Sequence, residues 1–466
     1  MTTDDPAFNS ADPLCQMSAR ELAEAYRRQS VSPVEVVRAC LARAEEIDPV
    51  FNAFSFIDHA RALDAAKASE NRWANGAPLS EVDGIPATIK DIVWVKDWQV
   101  RYGSSVTSDA PATEDAPSVQ LMRNAGIIFL AQTTTPEFGW KAVTDSKAFG
   151  ITRNPRNKDK TAGGSSGGAA VAAALGAGVF HLGTDGGGSI RIPSAFCGLT
   201  GLKPTFTRVP AYPASAFGTV AHIGPMCRNV ADAFAMLKSM SGRDRRDWYQ
   251  GEALLAPLKL APVSLKGLRI GYWSTPPAGT LDPEIAAIVD RQLKSLEAEG
   301  AIVEPFELPG RNLLDMFHVH WFSGAAARLS PFGAADRARI DPGLVEIADT
   351  GAAFDARRLV GAQVERADFG ARMDQALADH DFILSPAVTI PAFEAGLEVP
   401  SGSGLERWTE WASFSFPINL TQQPAGVLPC GKTHAGLPVA LQIIGARGAD
   451  AHVLSFIAKL EETLDM

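Results

Sequence analysis

The sequence predicts an α/β fold, a central β-sheet covered by helices, and three observations carry that reading. A helical stretch at 118–125 runs through Gly126 into an apolar strand at 127–131. A second unit reads as strand at 268–273, helix from Asp282-Pro283 to Gly300, and extended chain at 301–304, a β-α-β unit with a right-handed crossover expected. Short apolar runs at 381–384 and 439–444 supply further buried strands, and 449–464 reads as a closing helix. Strands alternating with helices in this way bury their apolar faces as layers around one sheet.

The N-terminal part is helical for a local reason. Ser18 with Glu21, and Ser32 with Glu35, have capping-box spacing, and Pro33 stands at a first helical position where a missing N–H costs nothing. No long polar linker, charge block or repeat interrupts the chain, so one domain is expected over 1–466. The stretch 257–262 reads as a surface connection.

Composition bounds the function. Hydrophobic residues make up 46% and charged residues 21%, the balance of a globular protein with ample core. A formal charge of −10 argues against a nucleic-acid binder, because neutralising phosphates needs a basic face. Five scattered cysteines without a CxxC pair argue against a disulfide framework or a zinc site, and no metal or cofactor is expected. The acidic, polar opening residues are unlike a secretory signal, and the best apolar stretch, 169–180, is too short to cross a membrane. A cytoplasmic protein, monomer or homodimer, is the expectation.

Two glycine-serine segments hold the chemistry. Ser189 follows Gly186, Gly187 and Gly188 at the end of an apolar strand-like run. With no side chains to block approach, the N–H groups of Gly186, Gly187, Gly188 and Ser189 converge as an oxyanion hole. Such donors lower an acyl-transfer barrier by about 3–4 kcal/mol each. The earlier segment, Gly163-Gly164-Ser165-Ser166-Gly167-Gly168, offers a second serine. A serine nucleophile needs a base. No histidine lies in either segment; His222 reads as a turn residue, and Lys90 is the better base provided that it is neutral. Holding a lysine neutral near pH 7 costs about 4 kcal/mol, which burial among Ile85, Pro86, Ile89 and Ile92 would impose. Neither segment continues into the lysine and Ser/Thr of a phosphate loop.

These segments, with Gly183-Thr184-Asp185, Gly187-Gly188-Ser189-Ile190-Arg191, Gly201-Leu202-Lys203-Pro204-Thr205 and Gly436-Leu437-Pro438, resemble the amidase signature family. The likeness covers nearly the whole chain and is weakest at about 250–400. It implies the amidase signature fold, a large central mixed β-sheet covered on both faces by α-helices. The expected parts are an N-terminal helical region (1–75), a catalytic core (76–250), a substrate-covering region (about 265–420) and a core-completing strand and helix (421–466). It also implies a Lys–cisSer–Ser triad: Ser189 as nucleophile, Ser165 as relay in a cis peptide, and Lys90 as base. Ser166, Thr184, Asp185 and Arg191 are expected to support that network.

The resemblance further implies a serine hydrolase cleaving C–N bonds of carboxylic amides through an acyl-enzyme. Aryl amides and anilides lead as small-molecule substrates, with aromatic carbamates (urethanes) and esters as extras. The alternative is a component like the glutamine-hydrolysing subunit of a tRNA-dependent amidotransferase. Aromatics in the weaker half favour the stand-alone enzyme. About half of Trp321, Phe322, Trp408, Trp411, Phe414 and Phe416 are expected to reach the pocket. Phe138, Trp140, Arg208, Trp321, Trp411, Gln422 and Gln423 are the candidate substrate-binding residues. Two departures stand out, since Gln422 and Thr207 occupy positions where the family commonly has glycine.

Overall fold

Ser18 and Ser32 each accept a hydrogen bond from the backbone N–H three residues on, and Glu21 and Glu35 return the bond, so both expected capping boxes form. They open helices Ala19–Arg27 and Pro33–Phe51. The computed structural model describes residues 11–251 and 257–464. The acidic opening residues and the extreme ends of the outer regions lie outside these.

An 11-stranded mixed sheet organises the chain. Its strands are β1 (Phe54–Ile57), β2 (Pro86–Lys90), β3 (Ile128–Thr133), β4 (Phe180–Asp185), β5 (Thr200–Lys203) and β6 (His222–Cys227), followed by β7 (Arg269–Tyr272), β8 (Ile302–Pro305), β9 (Phe382–Pro386), β10 (Ala425–Lys432) and β11 (Pro438–Ile444). They lie in the order β1-β3-β2-β4-β6-β5-β10-β11-β9-β7-β8. The β-α-β unit read from the sequence is present: β7 and β8 pair in parallel, joined by helix Pro283–Ala298 capped by Asp282. β3 runs on to Thr133, beyond the apolar run, because Gln132 and Thr133 are buried between β1 and β2 despite their polarity.

The register at the middle of this sheet positions the chemistry. β2 runs parallel to β4 with Ile89 opposite Leu182, so the chain ends of the two strands lie side by side and Lys90 comes next to the Thr184 end of its neighbour. Two short helices then follow glycine turns. Helix α1 (Gly167–Leu175) and helix α2 (Arg191–Cys197) are buried along their whole lengths. A helix apolar on every side belongs inside a protein. Helices α3 (Leu313–Leu329), α4 (Pro342–Ala352) and α5 (Ala356–Ala376) form a separate layer, with α3 packed on both others. Their apolar side chains join an aromatic cluster built on Phe317, Trp321 and Trp408. Among the described residues, no helix is long and apolar enough to cross a membrane.

Candidate active site

Lys90 ends β2 with its whole side chain buried. Its Nζ lies 2.7 Å from Ser165 Oγ, 2.9 Å from Ser166 Oγ and 3.0 Å from Thr184 Oγ1. Burial drives this amine well below the ordinary lysine range, and the more distant charge of Asp185 opposes the shift without cancelling it. No carboxylate contacts Nζ among the described residues. Ser166 Oγ donates to the Thr184 carbonyl at 3.1 Å, so it must accept from the lysine. A neutral amine has two hydrogens and one lone pair. In its neutral form, donating to Ser166 and Thr184 would leave the Lys90 lone pair for the hydroxyl of Ser165.

Ser165 follows a cis peptide from Gly164. The turn passes so close to the segment beneath it that a Cβ on Gly164 would lie 2.5 Å from the Val143 backbone. Thr144 Oγ1 ties the turn down, donating to the Gly163 carbonyl at 2.9 Å and accepting from the Gly167 N–H at 3.0 Å.

The second glycine segment leaves β4 at Asp185, whose buried carboxylate organises it. Asp185 accepts from the N–H groups of Gly188 at 2.8 Å and Ile190 at 3.1 Å. It also pairs with Arg191 at 2.9 Å and accepts from Asn419 at 2.9 Å. Burial alone would raise its pKa, but Arg191 and Asn419 outweigh that and hold it below the usual carboxylate range. Gly188 is thereby removed from the expected oxyanion set, because its N–H is already used. Among the described residues, the N–H groups of Gly186, Gly187 and Ser189 make no internal hydrogen bond. Ser189 Oγ likewise bonds to none of these residues, and both Ser165 and Ser189 line a cavity of about 740 Å³.

The cavity corrects the expected substrate contacts. Phe138 and Trp321 line it. Trp140 does not; it is buried, and its ring packs where α4 crosses at Gly343. Trp411 is held by core rings, stacking on Phe196 at 5.8 Å and meeting Phe393 edge-on at 5.2 Å. Arg208 is buried in an ion pair with Asp450. Gln422 caps a short helix and donates to the Thr219 carbonyl, while Gln423 is fully buried and donates to Asp374. Of the six aromatics from the weaker half, Trp321 alone lines this cavity, fewer than expected. Phe317 stacks on Trp321 at 5.3 Å and Trp408 meets it edge-on at 5.8 Å, so one ring faces the cavity and the others hold it. His222 begins β6 rather than occupying a turn. Burial keeps it well below the ordinary histidine range, with Nδ1 bonded to the Val220 carbonyl at 2.8 Å.

The Amidase family profile matches residues 35–454 of the chain. The chain belongs to the amidase signature family. It is an amide-hydrolysing enzyme, and the relatives span two kinds. An acylamidase of Rhodococcus erythropolis is 35% identical, with 96% of this chain and 95% of that protein covered. A glutamyl-tRNA(Gln) amidotransferase subunit of Myxococcus xanthus (strain DK1622) is 31% identical, with 97% of this chain and 98% of that protein covered. Among solved structures, a bacterial aryl acylamidase of the amidase signature family superposes with a TM-score of 0.89 at 27% identity, covering 97% of each chain.

In this amidase the sequence reading missed much of the cavity wall. Trp94, Tyr102, Phe206, Tyr212 and Phe217 line it, together with Arg328. Asp91, next to Lys90, also went unread. Its buried carboxylate accepts the N–H groups of Arg101 at 2.8 Å and Gly103 at 3.2 Å, which fixes the loop that presents Tyr102. Burial, opposed by these N–H donors, raises Asp91 to about 7. The Lys-Asp pair was the available signal, since a carboxylate that close to a buried amine and not bonded to it must serve something else.

Proposed function

We propose that this enzyme hydrolyses small-molecule aryl amides through Lys90, Ser165 and Ser189. The observation that carries the reading is the buried Lys90 amine, bonded among the described residues to hydroxyls alone, one of them on Ser165, which lines the same aromatic cavity as Ser189. Ser165 passes its proton to the neutral Lys90 amine and takes the proton of Ser189. Ser189 Oγ then bonds to the amide carbon, and the carbonyl oxygen becomes an oxyanion facing the N–H groups of Gly186, Gly187 and Ser189. Collapse breaks the C–N bond. The Lys90 proton returns through Ser165 to the leaving nitrogen, without which an amine leaves poorly. Water repeats the sequence on the acyl-Ser189 ester, releasing the acid. Aromatic carbamates and esters share this carbonyl chemistry.

Release of p-nitroaniline from a panel of acyl anilides, compared with ammonia release from glutamine, tests the proposal. Anilides are expected to show the higher kcat/KM, and Ser189→Ala to lower it about 10⁴-fold or more. The amidotransferase-type reading is favoured by the 31% identity to the Myxococcus xanthus protein and by similar identities to further subunits of that kind. Glutamine outcompeting every anilide would establish it in place of the aryl-amide reading.

A further inference from the structure

The charged groups around the cavity are matched, with one exception. Arg246 pairs with Asp244 at 2.7 Å and with Glu114 at 2.6 Å. Asp185 pairs with Arg191. Asp247 accepts the N–H groups of Ala211 at 3.0 Å and Tyr249 at 2.9 Å. Arg328 makes no ion pair and no hydrogen bond among the described residues.

Its position is nonetheless defined. Arg328 lies in the last turn of α3, where the carbonyl ends favour a cation. Its guanidinium carbon lies 4.3 Å from the ring centre of Tyr102 and 4.6 Å from that of Phe138, and all three residues line the cavity. The two rings hold the cation by attraction to their faces and restrict its rotamers, leaving its N–H donors unused. Phe138 adjoins Gly139, where a Cβ would stand 3.3 Å from Ser165 Oγ. The cation therefore packs on the ring next to the glycine that borders Ser165. The helix end explains why a charge is tolerated there. It does not explain why that charge is clamped in the cavity wall with its donors free.

We propose that Arg328 recognises a carboxylate on the substrate, so that the preferred amides carry an acid group on the portion lying against Phe138 and Tyr102. This rests on the amide-hydrolase reading and names the substrate class for it. A planar guanidinium pre-held by stacking offers two parallel N–H bonds to a carboxylate without first having to be ordered.

Two probe pairs test it by p-nitroaniline or aniline release. One compares the mono-p-nitroanilide of glutaric acid with the analogue bearing an isopropyl group in place of the carboxylate. The other compares 4-acetamidobenzoate with its isopropyl analogue. In at least one pair the acid is expected to have a kcat/KM about tenfold or more above the isostere, carried mainly by KM. Arg328→Gln brings that ratio to near one, and Arg328→Lys retains part of it. Calorimetric binding of the same pairs to Ser189→Ala, with and without Arg328→Gln, reports on the carboxylate independently of turnover. Absence of turnover with an Arg328-dependent carboxylate preference in binding sinks the hydrolytic reading and keeps this one. Equal binding of acid and isostere, or a preference that survives Arg328→Gln, overturns it.

Discussion

Lys90 shows how the surroundings of one side chain shift its charge. An exposed lysine stays charged well above neutral pH. Here three hydroxyls replace water and no anion touches the amine, so the neutral form gains on the charged one. In the proposed mechanism the active form is deprotonated, and kcat/KM is expected to fall as pH drops through the depressed lysine pKa, with a slope of one proton. Lys90→Ala should lower kcat about 10²–10⁴-fold and remove that acidic limb, as read from a pH–rate profile of anilide hydrolysis. A retained limb would assign it to another group, and Asp91 near 7 is the neighbour to examine. Ser165 and Ser189 were legible as candidates in the chain, since the glycines that expose a serine must be its sequence neighbours, whereas Lys90 was singled out mainly by the family resemblance. Burial, which lowers the pKa of that lysine, depends on strands far away in sequence.

Helix α1 and strand β6 mark how far local pattern reaches. Glycines and alanines build α1 because it crosses other backbone at contact distance. A Cβ on Gly168 would lie 2.4 Å from the Ala53 carbonyl oxygen and 2.5 Å from the Thr134 nitrogen. Gly168→Ala is therefore expected to destabilise the protein by about 2 kcal/mol, seen as a lowered Tm, because backbone cannot yield as a flexible side chain does. β6 carries Gly224 and Pro225 and lies between β4 and β5, where proline is uncommon. No strand rule finds it; pairing with its neighbours makes it a strand. Thr207 and Gln422, which stand where glycine is common, both have φ of 68°, so each carries a left-handed backbone that glycine would adopt freely. That departure was readable in the chain, though its consequence was not.

Across the whole molecule, Arg191 joins parts of the chain that are distant in sequence. From α2 its guanidinium reaches Asp185 at the end of β4, the Ser415 carbonyl at 2.9 Å, Gln442 of β11 at 2.7 Å, and Asn419. Both charges are fully buried. Removing one leaves the other uncompensated, so Arg191→Met should cost about 3–5 kcal/mol in a urea titration and loosen the Ser189 loop with it. The stability from this pair is present above the ordinary carboxylate pKa. It declines as pH falls below about 4 toward the lowered value of Asp185, because the unfolded chain binds the proton first. A midpoint unaffected by Arg191→Met would show that the network is replaceable.

The α/β alternation, both capping boxes and the β-α-β unit were determined by the sequence alone, because each depends on spacing along the chain. The tertiary structure decided the rest. Phe138 and Trp140 are two residues apart and alike in chemistry, yet one faces the cavity and the other is core. Of the three glycines before Ser189, Gly188 alone gives its N–H to Asp185. Arg328 is held by two rings, Phe138 and Tyr102, that lie 190 and 226 residues earlier. Which surface a side chain presents, and which donor is left free, are outcomes of contacts between distant segments, and no local pattern contains them.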